Sequence, residues 1–339
     1  MKIEEHISLK PFNTFGFEIE THYFSEITNL SSLRQFLDYL PFLNCPLLIM
    51  GAGSNLLFTG DYEGCILKMS TKGIRFQKEN EDTTLVTAEA GESWDTFVDQ
   101  CVEKNLGGLE NLALIPGNVG SSPIQNIGAY GVEMKDCFHS LEAIHIRTGR
   151  IKTFTKHECE FGYRSSIFKN EIKGQYIILS VTFRLSHNPL LNTSYGSIKA
   201  GLEELGITEP RIADVAKVVA NIRRSKLPDP KELGNAGSFF KNPTVSTFDY
   251  FRLKGTFENI VGFNQFDGTY KLAAGWLIEQ AGWKGYRKGD AGVHAQQALI
   301  LVNYGKATGQ EILSLSKEIM QSVKDMFGIV LEAEVNVVF

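Results

Sequence analysis

No run of eighteen or more apolar residues occurs in the 339-residue chain, which excludes an ordinary transmembrane helix. Basic charge is not in excess either: 34 Lys and Arg stand against 39 Asp and Glu, a net charge of −5. A nucleic-acid binder would normally display a basic surplus or stripe, so that class of partner is set aside. The N-terminal MKIEEHISLK carries acids where a secretory signal has its basic and apolar regions, so the chain is expected in the cytoplasm, without membrane insertion. Cysteines are few, odd in number and scattered: Cys45, Cys65, Cys101, Cys137 and Cys159 form no CxxC pair and have no histidine at ligand spacing. Reduced thiols and no metal site are the expectation. Internal repeats and low-complexity segments are also missing.

What is there is ordinary enzyme composition, 43% hydrophobic and 22% charged, in a chain longer than one core usually serves. Two or three domains are expected. SSLRQFLDYL spaces Leu33, Phe36, Leu37 and Leu40 as a helix after a serine cap, with Pro41 ending it. PLLIM reads as a buried strand that opens into GAGSN. SWDTFVDQCVEKNLGG is a second helix, capped by Ser93 and stopped by glycines. Strands follow in AIHIR and YIILSVTFRL, then a helix in RIADVAKVVANIRRSK that LPDP breaks. A glycine-rich stretch, a helix near KLAAGWLIEQAG, a strand ALILV and a long helix from about 310 to 327 complete the α+β pattern. The last strand, IVLEAEVNVVF, puts Ile329, Leu331, Ala333, Val335 and Val337 on one face and Glu332, Glu334 and Asn336 on the other.

Five segments carry candidate chemistry. GAGSN at 51–55 lets backbone amides approach an anion, but it lacks the third glycine of GxGxxG and the GK[ST] ending of a P-loop, so phosphate cradle and tight turn both stay open. IPGNVGSSPIQNIGAYG at 115–131 combines bare backbone with side-chain hydrogen bonders in a loop longer than most connections, and reads as a dinucleotide or flavin site, with a long structural loop as the alternative. FGYRSSIFK offers Arg164, whose guanidinium matches a carboxylate or phosphate; the alternative is an arginine packing its stem on Tyr163. GNAGSFFKNP holds Ser238 without a GxSxG elbow, an SxxK pair or a neighbouring histidine, so a covalent nucleophile is excluded, while a phosphate contact near Lys241 and a plain turn remain. Glu334 is a solvated carboxylate unless its face lines a cleft, where Glu332 beside it would raise one of the two pKa values.

Together, NTFG at 13–16, GAGSN, GLENLALIPGNVGSSPIQNIGAYG at 108–131, FGYRSSIFK, KLPDP, GNAGSFFKNP, KLAAGWLIEQ and LEAEV resemble, in order and spacing, the bacterial UDP-N-acetylenolpyruvoylglucosamine reductases, over nearly the whole chain. The resemblance implies an FAD-binding domain of the vanillyl-alcohol-oxidase (PCMH) type in two α/β subdomains, 1–70 and 71–226, and a smaller α/β substrate-binding domain, 227–328, with the strand near 329–339 packing back onto the first. It implies non-covalent FAD held by Gly51, Ala52, Gly53, Ser54, Asn55, Leu56, Pro116, Gly117, Gly120, Ser121, Ser122, Ile124, Asn126, Gly128 and Ala129. NADPH is the implied co-substrate, and a monomer is expected.

The same resemblance implies hydride transfer from flavin N5 to C3 of the enolpyruvyl group, leaving enolate-like charge at C2 and the carboxylate. Arg164 and a protonated Glu334 would stabilise that charge, and Ser238 would give the proton to C2. Tyr195, Lys226, Asn242, Phe263, Lys271, Lys284 and Gln297 would bind the sugar nucleotide, Tyr195 marking the type with a tyrosine-bearing loop. Phe263 departs from a relative's tyrosine and loses its hydroxyl; Tyr270 is the alternative supplier. Two competing readings are an oxidase on the same fold and a sugar-nucleotide binder without catalysis.

Overall fold

A computed structural model describes all 339 residues, with mixed helix and strand throughout. The chain divides into two units, and not in linear order. The first comprises 1–7, 21–52 and 63–225; the second comprises 8–20, 53–62 and 226–339.

The first unit holds two hydrophobic cores. Strands Glu4–Ser8, Glu20–Ile27, Tyr62–Met69 and Leu47–Met50 form one sheet in that order, the last pair parallel. Helix α1 (Leu30–Leu43) buries Leu33, Phe36 and Leu37 in a core with Ile27, Cys65 and Leu67. Asn29, not a serine, caps it, accepting from Ser32 N. Pro41 does not end the helix but lies in its last turn, and left-handed Asn44 stops the chain.

The second core lies on an antiparallel sheet in the order Ile151–Thr155, Phe138–His145, Tyr176–Ser186, Thr83–Glu89, Ile74–Lys78. Helix α2 (Trp94–Glu103), capped by Ser93, packs Trp94 and Phe97 against Phe183. Left-handed Asn105, two residues before the glycines, ends its last turn. Helices α3 (Gly196–Glu204) and α4 (Ile212–Lys226) add Ile198, Leu202, Val215 and Val219 to this core.

The second unit has a single core. Its main sheet runs Gly234–Ser238, Ile300–Asn303, Ala291–Val293, Arg287–Lys288, and a smaller one runs Thr244–Val245, Tyr270–Leu272, Gly262–Asn264. Helices α5 (Thr247–Thr256), α6 (Ala274–Gln280) and α7 (Gly309–Phe327) complete it. The C-terminal strand Asn336–Val338 pairs in parallel with Leu56–Phe58. That pairing, with Phe15, Phe17 and Leu57 buried among C-terminal residues, draws 8–20 and 53–62 out of linear order.

All five cysteines are free, and burial raises the Cys65, Cys137 and Cys159 thiols to about 12. No helix is long and apolar enough to cross a membrane.

Candidate functional site

In the first unit, strand Leu47–Met50 feeds directly into Gly51. A Cβ at Gly51 would lie 2.5 Å from Asn118 Oδ1, so only glycine lets this turn lie against the long loop. Asn118, which the sequence reading passed over, braces the contact by donating to the Gly91 and Glu92 carbonyls at 2.9 and 3.1 Å. Ala52 is exposed. Gly53, Ser54, Asn55 and Leu56 continue the motif as part of the second unit, Gly53 left-handed at φ 67°.

The long loop spends much of its polarity on itself. Ser122 Oγ donates to the Val119 carbonyl at 2.7 Å and is 1% exposed. Asn126 is fully buried: its amide donates to Glu133 Oε2 and the Gly162 carbonyl at 2.9 and 3.0 Å and accepts from Lys135 N at 3.1 Å. These two side chains, expected to face a ligand, therefore shape the loop. Gly120 approaches Ala90 so closely that a Cβ would sit 2.5 Å from that residue's own. Pro116 and Ser121 are exposed, Gly117 and Ile124 half-buried, and the Ile124 carbonyl accepts from Ser166 Oγ at 2.7 Å. Gly128 and Ala129 pair with Val132 and Glu133 around Tyr130–Gly131, whose φ values of 49° and 78° make a tight two-residue hairpin turn. A backbone lined by glycine and fixed by its own side chains suits a large cofactor carrying phosphates, so the residues present fit FAD.

Arg164 is itself left-handed, φ 52°, in a turn closed by reciprocal hydrogen bonds between Gly162 and Ser165. A conformation this sparse for a non-glycine costs on the order of 1 kcal/mol and persists only where surroundings enforce it. Here Nη2 donates to the Gly128 carbonyl at 2.6 Å, Lys169 Nζ donates to the Arg164 carbonyl at 3.3 Å, and Cζ stands 5.2 Å from the Tyr163 ring centroid. Packing on Tyr163 and an anchored guanidinium thus coexist. Tyr195, 44% exposed, precedes α3 with its ring edge-on to Tyr130 at 5.3 Å. Arg223, another residue the sequence did not single out, donates to the Leu114 carbonyl at 3.1 Å and to the Tyr130 side chain; burial pushes its pKa down while Tyr130 and Asp95 oppose that. Its helix pattern carried no signal for this.

In the second unit, Ser238 closes strand Gly234–Ser238 at an irregularity in its pairing with Ile300–Asn303. Asn235, also unforeseen, builds that irregularity: 2% exposed, it donates to the Pro228 and Leu233 carbonyls at 3.2 and 2.8 Å and accepts from Gly237 N at 2.9 Å. Gly237 is left-handed at φ 71°, which turns the chain just before Ser238. The next residues pair with the C-terminal segment: Glu334 N donates to the Phe239 carbonyl at 2.8 Å and Lys241 N to the Glu332 carbonyl at 2.9 Å. Asn55 Nδ2 donates to the Glu334 carbonyl at 3.3 Å. The fold thus brings together the segments of Ser238, Glu334 and Asn55.

Glu332 is exposed and paired with Lys241 Nζ at 2.9 Å, because the cross-strand pairing sets those two side chains opposite each other. Lys241 is likewise committed to a carboxylate.

Asn242 Oδ1 accepts from Ala274 N at 3.0 Å, satisfying an amide at the start of α6. Phe263 and Lys271 are direct cross-strand partners on one face, and Tyr270, one residue on, faces the other way, stacked on Tyr250 at 3.9 Å. Tyr270 is therefore on the wrong face to replace a hydroxyl missing at Phe263. Lys284 is paired with Glu279 at 2.8 Å, Gln297 Oε1 accepts from Leu299 N at 3.4 Å, and Lys226 is the exposed last residue of α4.

The first of these arrangements belongs to a flavoprotein: residues 22–155 match the family model described as an FAD binding domain. Residues 229–338 match the C-terminal domain model of UDP-N-acetylenolpyruvoylglucosamine reductase. Proteins of that name from Flavobacterium johnsoniae and Pseudomonas syringae pv. tomato are similar at 50% and 49% identity, the alignments covering 100% and 99% of both chains. The crystal structure of the enzyme of that name from Thermus caldophilus is similar at a TM-score of 0.68 with 23% identity, covering 99% of each chain, and shows the same fold. The chain belongs to the UDP-N-acetylenolpyruvoylglucosamine reductase family.

Proposed function

We propose that the chain catalyses the NADPH-dependent, FAD-mediated reduction of UDP-N-acetylglucosamine enolpyruvate to UDP-N-acetylmuramate, a peptidoglycan precursor. The observation that carries this reading is the hydrogen bond from Glu334 N to the Phe239 carbonyl at 2.8 Å, which joins the serine-bearing and glutamate-bearing motifs in one ladder. FAD would be held by the glycine turn and the long loop, and when bound would supply the hydride chemistry that links NADPH to C3 of the enolpyruvyl group.

The chain's own residues do the rest. The Arg164 guanidinium binds the substrate carboxylate as charge develops there, and Glu334 takes the assisting role. Ser238 Oγ gives its proton to C2. A hydroxyl is a weak acid, so this step relies on a strongly basic carbon and on close positioning, which the Asn235-braced turn at Gly237 supports. Lys226, Lys271 and Lys284 supply positive charge toward the sugar nucleotide, with Tyr195, Asn242, Phe263 and Gln297 as further contacts.

The two cores of the first unit support a reading as two FAD-binding subdomains, and the second unit reads as the substrate-binding part. A cytoplasmic monomer completes the proposal. The test is spectroscopic: the purified protein is yellow, NADPH bleaches it anaerobically, and UDP-N-acetylglucosamine enolpyruvate restores the colour. A protein that retains no FAD, or is bleached but not recoloured by that substrate, refutes the assignment.

A further inference from the structure

The smaller sheet of the second unit carries a row of three side chains that its register defines. Thr244 pairs with Lys271, and Lys271 pairs with Phe263. Directly opposed residues of antiparallel strands share a face, about 5 Å from neighbour to neighbour. The flanking pairs fix which face this is. Leu272 is fully buried, Tyr270 stacks on Tyr250, and Val245 packs against the core, so their face is the inner one. Thr244, Lys271 and Phe263 therefore point outward; Phe263 is 49% exposed and Thr244 is exposed.

The row reads as one chemical unit. An aromatic ring can stack on a base or sugar, an ammonium attracts phosphate oxygens, and a hydroxyl donates a hydrogen bond beside it. Neighbouring threonines spend their hydroxyls locally: Thr247 donates to the Gly268 carbonyl and Thr269 to Asp267. The Thr244 hydroxyl has no partner within the protein. Phe263 brings no hydroxyl, and Tyr270 is turned to the inner face.

We infer that Thr244 is a nucleotide-binding residue of this enzyme, its hydroxyl donating to the diphosphate of the sugar nucleotide beside Lys271. This rests on the reading of the Phe263–Lys271 face as part of the substrate site. The role follows from register, and so concerns a residue that no catalytic motif singles out.

The experiment is calorimetric titration of the FAD-loaded protein with UDP. Thr244→Val, isosteric and suited to an exposed strand, is expected to raise the Kd about tenfold, as one lost hydrogen bond to a charged group would. Thr244→Ser, which keeps the hydroxyl, is expected to bind within about twofold of wild type. Lys271→Met is titrated alongside, with thermal midpoints confirming that each variant is folded. Unchanged affinity in Thr244→Val overturns the inference. If Lys271→Met weakens binding in that case, the face is still the nucleotide site and only Thr244 falls; if Lys271→Met also binds normally, the reading of the face falls with it. Equal weakening in Thr244→Val and Thr244→Ser also overturns the hydroxyl's role.

Discussion

Arg164 Nη2 donates to the Gly128 carbonyl at 2.6 Å, tying a guanidinium in a left-handed turn to the first strand of the Tyr130–Gly131 hairpin. One nitrogen of the fork is thereby committed to position and the charge is held on the loop. Lysine would keep the charge but lose the planar fork. Arg164→Lys is expected to slow flavin reoxidation by substrate about 10²-fold or more while leaving reduction by NADPH within a few-fold. Stopped-flow absorbance of the two half-reactions measures both, and equal loss in the two would sink the role given to Arg164.

Ser238→Ala removes a proton source without touching the groups that fold its strand. Reduction by NADPH is expected to stay near wild type, while recolouring by substrate slows by at least 10²-fold. Ser238→Cys should recover part of the rate, because a thiol can also deliver a proton. Reoxidation at the wild-type rate in Ser238→Ala would show that the proton comes from elsewhere.

Asn235 makes three hydrogen bonds while 2% exposed, so Asn235→Ala strands two carbonyls and the Gly237 amide. The expected cost is about 1–3 kcal/mol in urea denaturation, together with slowed reoxidation because the turn before Ser238 loosens. A variant as stable as wild type would mean that water replaces all three bonds.

His294 Nδ1 is buried without a partner, and burial pushes its imidazole below the ordinary range. The unfolded chain then takes up the proton first as pH falls. Stability from neutral His294 is fully present above the unfolded value, about 6.5, and is lost as pH falls toward and through the lower folded value. Wild type should lose more thermal stability than His294→Gln between about pH 7.5 and about pH 5.5. Parallel curves for the two proteins would rule this out.

The helices were legible because each has one apolar stripe and a local cap. The long helix expected from about 310 runs Gly309–Phe327 with Thr308 and Glu311 forming its capping box and left-handed Gly328 ending it. Pro41 and the glycines after α2 misled at helix ends, where a proline in the last turn is tolerated and asparagine can take the left-handed position. Among the candidate functional residues, Ser238, Arg164 and Glu334 could be singled out by residue type and motif. Asn118 and Arg223 could not, since a side chain that acts by reaching a distant carbonyl leaves no local pattern. Asn235, by contrast, bonds within two residues on either side, and its Asn-x-Gly spacing is a local turn signal.

Helical periodicity and strand alternation, short-range properties of the chain, by themselves determined an α+β pattern, and the order of the motifs, through their resemblance to a known family, pointed to a flavoprotein. Only the tertiary structure decided what each polar group is committed to. Ser122 and Asn126 turned inward to hold their loop, Glu332 went to Lys241, and Tyr270 faced the core while Thr244 faced outward. Those outcomes depend on register and on partners remote in sequence; shifting a strand by one residue would reverse the face of every side chain along it.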